Sequence, residues 1–275
     1  MNVKDEIEIC LYPDKLYLLT IIKTDMAIKM MAKKKTPEDN FFLEYCISQT
    51  LSIHRNIIFT HDIFHTSRDF VFVQEVAPAG NLQSILLPKV GMQEDMLKRC
   101  VPQIASALDF MHNRGMVHRD IKPNNILLMD AECHWIKLAD FGLTRLQGTF
   151  VPFVPWYKPY TAPELCCLRP GEQLLLHPSL DVWAFGVVIY YALSGLFPWH
   201  GAKRGDRDYI EFAWWQVGRE LSKAPKKYKK ILVEARVMFW ELLQINASKR
   251  GSAIDILKFM HLPWKAEECS ETEAT

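Results

Sequence analysis

No glycine precedes Gly80, although the chain of 275 residues contains twelve. Glycine lets backbone pass close to a bound group or take a positive φ, so the amino-terminal stretch has no glycine-rich phosphate cradle. The seven cysteines, Cys10, Cys46, Cys100, Cys133, Cys166, Cys167 and Cys269, include no Cys-x-x-Cys pair, which removes the spacing of zinc and dithiol redox sites. They read as reduced thiols that mostly fill core. No run of about 18 apolar residues occurs, and Met1-Asn2-Val3-Lys4-Asp5-Glu6 interleaves charges where a secretion signal needs an apolar run. The expectation is a soluble, cytoplasmic protein without membrane insertion. Lys+Arg 33 against Asp+Glu 32 leaves a formal charge of +1, so no global field draws nucleic acid.

What is present is core. Hydrophobic residues make up 49% and aromatics 12%, which excludes a disordered, collagenous or coiled-coil chain. Lys15 to Lys23, Met26 to Met31 and Phe70 to Val73 are β-branched or aromatic runs of strand length. Between them Thr36-Pro37-Glu38-Asp39 predicts a helix start, with Thr36 as N-cap and Pro37 at the first helical position. Further on, Leu97, Val101, Ile104, Leu108 and Met111 form one apolar stripe closed by Asn113-Arg114-Gly115. Asp181 to Leu193 is apolar almost all round, a buried helix that Asp181 could cap. The chain therefore divides into a small β-rich part, residues 1–76, a larger helical part, residues 77–265, and an acidic tail, residues 266–275. Lys226, Lys227, Lys229 and Lys230 read as a solvated helix face.

The densest chemical signal is His118-Arg119-Asp120-Ile121-Lys122-Pro123-Asn124-Asn125, followed by a strand-like Trp135-Ile136-Lys137-Leu138 and then Asp140-Phe141-Gly142. Phosphoryl transfer from a nucleotide needs an acceptor for the substrate hydroxyl proton, a cation beside the γ-phosphate and oxygen ligands for magnesium. Asp120, Lys122 and the pair Asn125 with Asp140 fit those roles in that order. Either short motif alone recurs by chance; both in this order and spacing are specific.

With these motifs the sequence resembles the eukaryotic protein kinase family from about Met26 to Trp264. Ala77-Pro78-Ala79-Gly80, Ala107 to His112, Pro159 to Glu164 and Asp181 to Gly186 are similar to the Src-homology-3-binding kinase subfamily of serine/threonine kinases. The resemblance implies an α+β, bilobal fold with ATP and Mg2+ in the cleft and a protein substrate with a Ser/Thr acceptor. It implies that Lys29 holds the α- and β-phosphates with Glu44 as its ion-pair partner. The Glu75 carbonyl and the Ala77 amide would hydrogen-bond adenine, with Gln74 facing the adenine pocket. Glu164 would pair with Arg250, Asp181 would anchor the catalytic loop through backbone amides, and Lys122 marks the serine/threonine class. The one Pro-x-x-Pro, Pro152 to Pro155, lies inside the activation segment, so no proline-rich partner is carried over. Thr149 is the mid-segment hydroxyl available to pair with Arg119 after phosphorylation.

Two departures bear on activity. Glu6 to Pro13 stands where the family places its glycine loop, and Trp156-Tyr157 replaces Gly-Thr ahead of the Ala162-Pro163-Glu164 end of the segment. The alternatives to an active enzyme are a pseudokinase acting as a nucleotide-binding or protein-interaction module, and an incomplete isoform of a kinase.

Overall fold

The computed structural model describes residues 10–11, 16–21, 24–155, 157–218 and 220–265. Most of the glycine-free segment Glu6 to Pro13, Trp156, Cys269 and the acidic tail lie outside the described residues. Strands Cys10–Leu11 (β1), Leu16–Ile21 (β2), Thr24–Ala32 (β3), Thr60–His65 (β4) and Asp69–Glu75 (β5) make one antiparallel sheet in the order β1-β2-β3-β5-β4. Helix Glu38–Leu51 (α1) joins β3 to β4. Residues directly opposite across a ladder share a face, so the pairing of Lys29 with Phe72 and Met31 with Phe70 gives the sheet one face of those four residues. Phe41 of α1 packs there, its ring centroid 4.5 Å from that of Phe70 and 4.9 Å from that of Phe72. Glu44, three residues along the helix from Phe41, shares that face and is thereby carried to Lys29.

Beyond β5 the chain is mainly helical: Leu82–Ile85 (α2) and Glu94–His112 (α3), then Pro163–Cys166 (α4), Ser179–Ser194 (α5), Arg207–Gly218 (α6) and Val233–Leu242 (α7). The stripe Leu97, Val101, Ile104, Leu108 and Met111 is fully buried on α3. On α5 every residue is buried except Tyr191 and Ser194, as befits a helix at the centre of a lobe. Between α3 and α4 run Met116–Val117 (β6), Ile126–Leu128 (β7), Ile136–Leu138 (β8), Arg145–Leu146 (β9) and Phe150–Pro152 (β10), with Gln173–Leu175 (β11) after α4. They pair β6 with β9, β7 with β8 and β10 with β11. The result is the bilobal α+β fold. Among the described residues no helix is long and apolar enough to cross a membrane.

Three local expectations are corrected. Pro37, not Thr36, is the N-cap of α1, at φ −58° and ψ 139°, and no side chain caps the helix. Pro37 already supplies the non-helical turn-in, and Glu38 and Asp39 in the first turn complement the helix dipole instead. Asp181 does not cap α5, which begins two residues earlier; its carboxylate reaches the loop after β6. Lys227 is not part of a solvated face, because its Nζ lies 2.6 Å from Asp208 and also reaches the carbonyls of Phe197 and Pro198. Cys100, Cys133 and Cys166 are buried as expected, whereas Cys46 and Cys167 are exposed; all five are free thiols.

Candidate active site

The loop from His118 to Asn125 leaves β6 and enters β7. His118 is fully buried. Its Nδ1 accepts the Asp120 N–H at 3.2 Å, which leaves the proton on Nε2, donated to the Ala139 carbonyl at 3.1 Å. Burial holds its pKa below the usual histidine range. Arg119 takes a left-handed φ of 72°, a conformation that needs support from its surroundings. Support comes from Asp181, which accepts the N–H groups of both His118 and Arg119 at 2.7 Å. Thus braced, the loop gathers three expected residues. Asp120 Oδ2 accepts Lys122 Nζ at 2.5 Å and Asn125 Nδ2 at 3.2 Å, and Asn125 Nδ2 also donates to the Asp120 carbonyl at 2.8 Å.

Asp140 enters from the far side of the β7–β8 pair, where the Ala139 N–H meets the Asn125 carbonyl at 2.9 Å. It too is left-handed, with φ 67°. Lys29 Nζ bridges Glu44 Oε1 at 2.7 Å and Asp140 Oδ1 at 2.9 Å, so the strand lysine, the helix acid and the loop acid form one cluster. Burial pulls the Lys29 pKa down, but the two carboxylates outweigh it and the net shift is upward. Burial pushes Asp140 up, but the charge and hydrogen bond of Lys29, together with the nearby His118 and Lys122, outweigh it, so Asp140 stays ionised. Glu44, buried to 4% exposure, is the member that burial raises despite Lys29. Gly142 lies close against the cluster: a Cβ on it would stand 3.1 Å from Glu44 Oε2, tight enough that the carboxylate would have to shift, and 3.6 Å from Asp140 Oδ1.

A cavity of about 390 Å³ opens over this cluster, lined by Lys29, Glu44, Asp120, Asp140 and Gly142 among others. Its lining offers hard oxygen from Asp120 and Asp140 and the Lys29 ammonium, with Lys122 and the Asn125 amide bound to Asp120 beside it. That chemistry fits a magnesium-bound polyphosphate.

At the end of β5 the side chains turn elsewhere. The Glu75 carboxylate accepts Lys137 Nζ and the Phe59 N–H, both at 2.6 Å. The Gln74 amide donates to buried Thr60 Oγ1 at 3.0 Å, which in turn meets Ser48 Oγ at 2.6 Å. Any adenine contact by Glu75 and Ala77 therefore falls to backbone groups. Lys137 was missed from sequence; its one signal is a lysine between two apolar residues in β8, all three of which are buried.

Around the rim, Arg119 donates to the Leu143 carbonyl at 3.0 Å. Burial, then the nearby Arg145 charge, lowers its pKa. Thr149 lies exposed, its carbonyl accepting the Leu176 N–H at 2.8 Å. Arg250 and Glu164 pair through two bonds, 2.8 and 3.1 Å. The sequence did not anticipate Lys158, whose Nζ stands 3.5 Å from Asp120 Oδ1.

A bilobal fold with this cluster in its cleft is that of the protein kinases. The protein kinase domain profile matches residues 20–264, and the chain belongs to that family. It is 45% identical over 238 residues to serine/threonine-protein kinase SBK1 of Mus musculus, covering 86% of this chain and 57% of the relative. It is 42% identical over 246 residues to SBK1 of Danio rerio, covering 89% and 64%. Serine/threonine-protein kinase SBK2 of Rattus norvegicus is 35% identical over 255 residues, covering 92% and 70%. The chain thus spans under two thirds of the length of the first two relatives.

Proposed function

We propose that the chain is a protein serine/threonine kinase that moves the γ-phosphate of ATP to a hydroxyl of a protein substrate. The observation that carries this is the convergence of Asp120, Lys122 and Asn125 with the Lys29–Glu44–Asp140 cluster on one cleft. Asp120 accepts the hydroxyl proton, its carboxylate held by Lys122 and Asn125. The Lys122 ammonium stands where charge develops on the transferred group. Lys29, fixed by Glu44, binds the α- and β-phosphates; Asp140 and Asn125 hold Mg2+. The metal, when bound, neutralises the phosphate oxygens. The backbone of Glu75 and Ala77 receives adenine. Residues 1–76 and 77–265 act as the two lobes, and the free thiols of Cys46, Cys100, Cys133, Cys166 and Cys167 suit a cytoplasmic setting. Hydrolysis of the labelled product should give phosphoserine or phosphothreonine; phosphotyrosine would contradict the class.

One observation favours a second function. Without glycine before Gly80 the amino-terminal backbone lacks the residue type that lets its amides close over a γ-phosphate, and a nucleotide-binding pseudokinase would result. Binding of Mg-ATP without transfer distinguishes it.

A further inference from the structure

Asp120 is contacted from two sides. Lys122 comes from its own loop, and Lys158 from the segment before α4. Lys158 is set firmly: its N–H donates to Thr161 Oγ1 at 3.0 Å and its carbonyl accepts the Thr161 N–H at 2.9 Å. The next residue, Pro159, accepts Trp199 Nε1 at 3.0 Å, and Trp199 is 1% exposed. The Lys158 side chain nonetheless remains 55% exposed, and its 3.5 Å contact with Asp120 is a long one. Such a half-exposed pair is weak and exchangeable.

A second ammonium lies over the residue before it. Lys203 Nζ lies 4.8 Å from the ring centroid of Tyr157, the residue preceding Lys158. Among the described residues no carboxylate lies within 4.0 Å of Lys203. Asp206, the acid three residues along, is committed to the N–H groups of His200, Gly201 and Tyr209. Asp120 and the Tyr157–Lys158 stretch beside it thus carry Lys122, Lys158 and Lys203.

An acceptor hydroxyl must come within hydrogen-bond reach of Asp120. Successive Cα atoms of its peptide are about 3.8 Å apart, so the neighbouring side chains arrive beside Lys158 and Lys203. A carboxylate there meets Lys203, which has no carboxylate partner among the described residues, and Lys158, whose one pairing is the long contact with Asp120, whereas a lysine or arginine there meets repulsion. We propose that Lys158 and Lys203 form an anion-reading subsite that selects protein substrates with an acidic side chain within two residues of the acceptor. This selectivity rests on the kinase function proposed above.

The test uses the full chain and single-serine peptides with Glu, Gln or Lys placed in turn from two residues before to two after the acceptor. At one or more positions kcat/KM should favour Glu over Lys at least tenfold. That ratio should collapse in Lys158→Met and Lys203→Met and invert in Lys203→Glu. Transfer with no Glu preference overturns the subsite while upholding the kinase. If transfer is absent, fluorescence anisotropy of the Ser→Ala peptides decides separately. Tighter binding of the Glu peptide, lost in Lys203→Met, upholds the subsite and rejects the kinase; equal binding of Glu and Lys peptides overturns the subsite. A Lys158→Met variant that speeds all peptides equally would make Lys158 a brake on Asp120, against the proposal.

Discussion

Asp181 holds Arg119 in a left-handed backbone conformation: Oδ1 accepts the Arg119 N–H at 2.7 Å while Arg119 has φ 72°. The same carboxylate takes the His118 N–H at 2.7 Å and His112 Nε2 at 2.9 Å on Oδ2. Burial raises the Asp181 pKa, but these donors and the neighbouring histidines outweigh it, so the acid stays ionised at 1% exposure. A left-handed non-glycine residue costs about 1–3 kcal/mol, an amount that two charge-assisted bonds offset. The direction of Asp120, one residue on, is thus set from the core of the helical lobe.

Asp181→Ala should therefore lose about 3 kcal/mol or more, since the buried His118 N–H and the part-buried Arg119 N–H are left without acceptors. Urea unfolding measures the loss, and phosphotransfer should fall further than the folded fraction does. A variant with parental stability would show that Asp181 does not brace the loop.

Arg250→Ala should cost roughly 3–5 kcal/mol, because Glu164 is left with an uncompensated charge. Arg250 also donates to the Ser179 carbonyl at 2.6 Å and the Gln244 carbonyl at 2.9 Å. Removing Glu164 as well should recover only part of the loss. Full recovery in the double variant would mean that those carbonyl bonds contribute nothing.

Lys29→Met and Asp140→Ala should each abolish the thermal shift given by Mg-ATP, since Lys29 and Asp140 meet at 2.9 Å in the cavity. Ligand at about 100 times its dissociation constant adds about 2.7 kcal/mol, so a weak binder needs millimolar nucleotide. An undiminished shift in either variant would place the nucleotide elsewhere.

Acid should loosen the catalytic loop. His118 has a folded pKa below the free value of about 6.5, with burial the first cause, so between those two values the unfolded chain binds the extra proton. Its contribution to stability is complete above about pH 6.5 and is lost as pH falls toward the folded pKa. Protonating Nδ1 also breaks the Asp120 N–H contact. His118→Asn should flatten the decline of melting temperature below about pH 6.5; an unchanged profile would assign the decline to other groups.

The contiguous motif carried most of the site. Asp120, Lys122 and Asn125 sit within six residues of chain, so their meeting needed only one loop, and the stripe of α3 was visible because its period is helical. The Lys29–Glu44 pair was legible through the kinase resemblance, with the helix signal after β3 placing Glu44 on a helix. Lys158 at Asp120 and Lys137 at Glu75 were not, because each contact joins segments distant in sequence and depends on how the chain packs. The misplaced cap at Thr36 has a local cause: proline fits both the cap and the first helical position, and only the backbone angles decide between them.

Transfer of labelled phosphate from ATP by the purified chain, beside Asp120→Asn, tests the central claim most directly. The parent should label a serine or threonine peptide, and the variant, folded and still shifted by Mg-ATP, should lose at least about a hundredfold in rate, the lower range for a general base. Equal labelling by both proteins, or none by a parent that binds Mg-ATP, would contradict it.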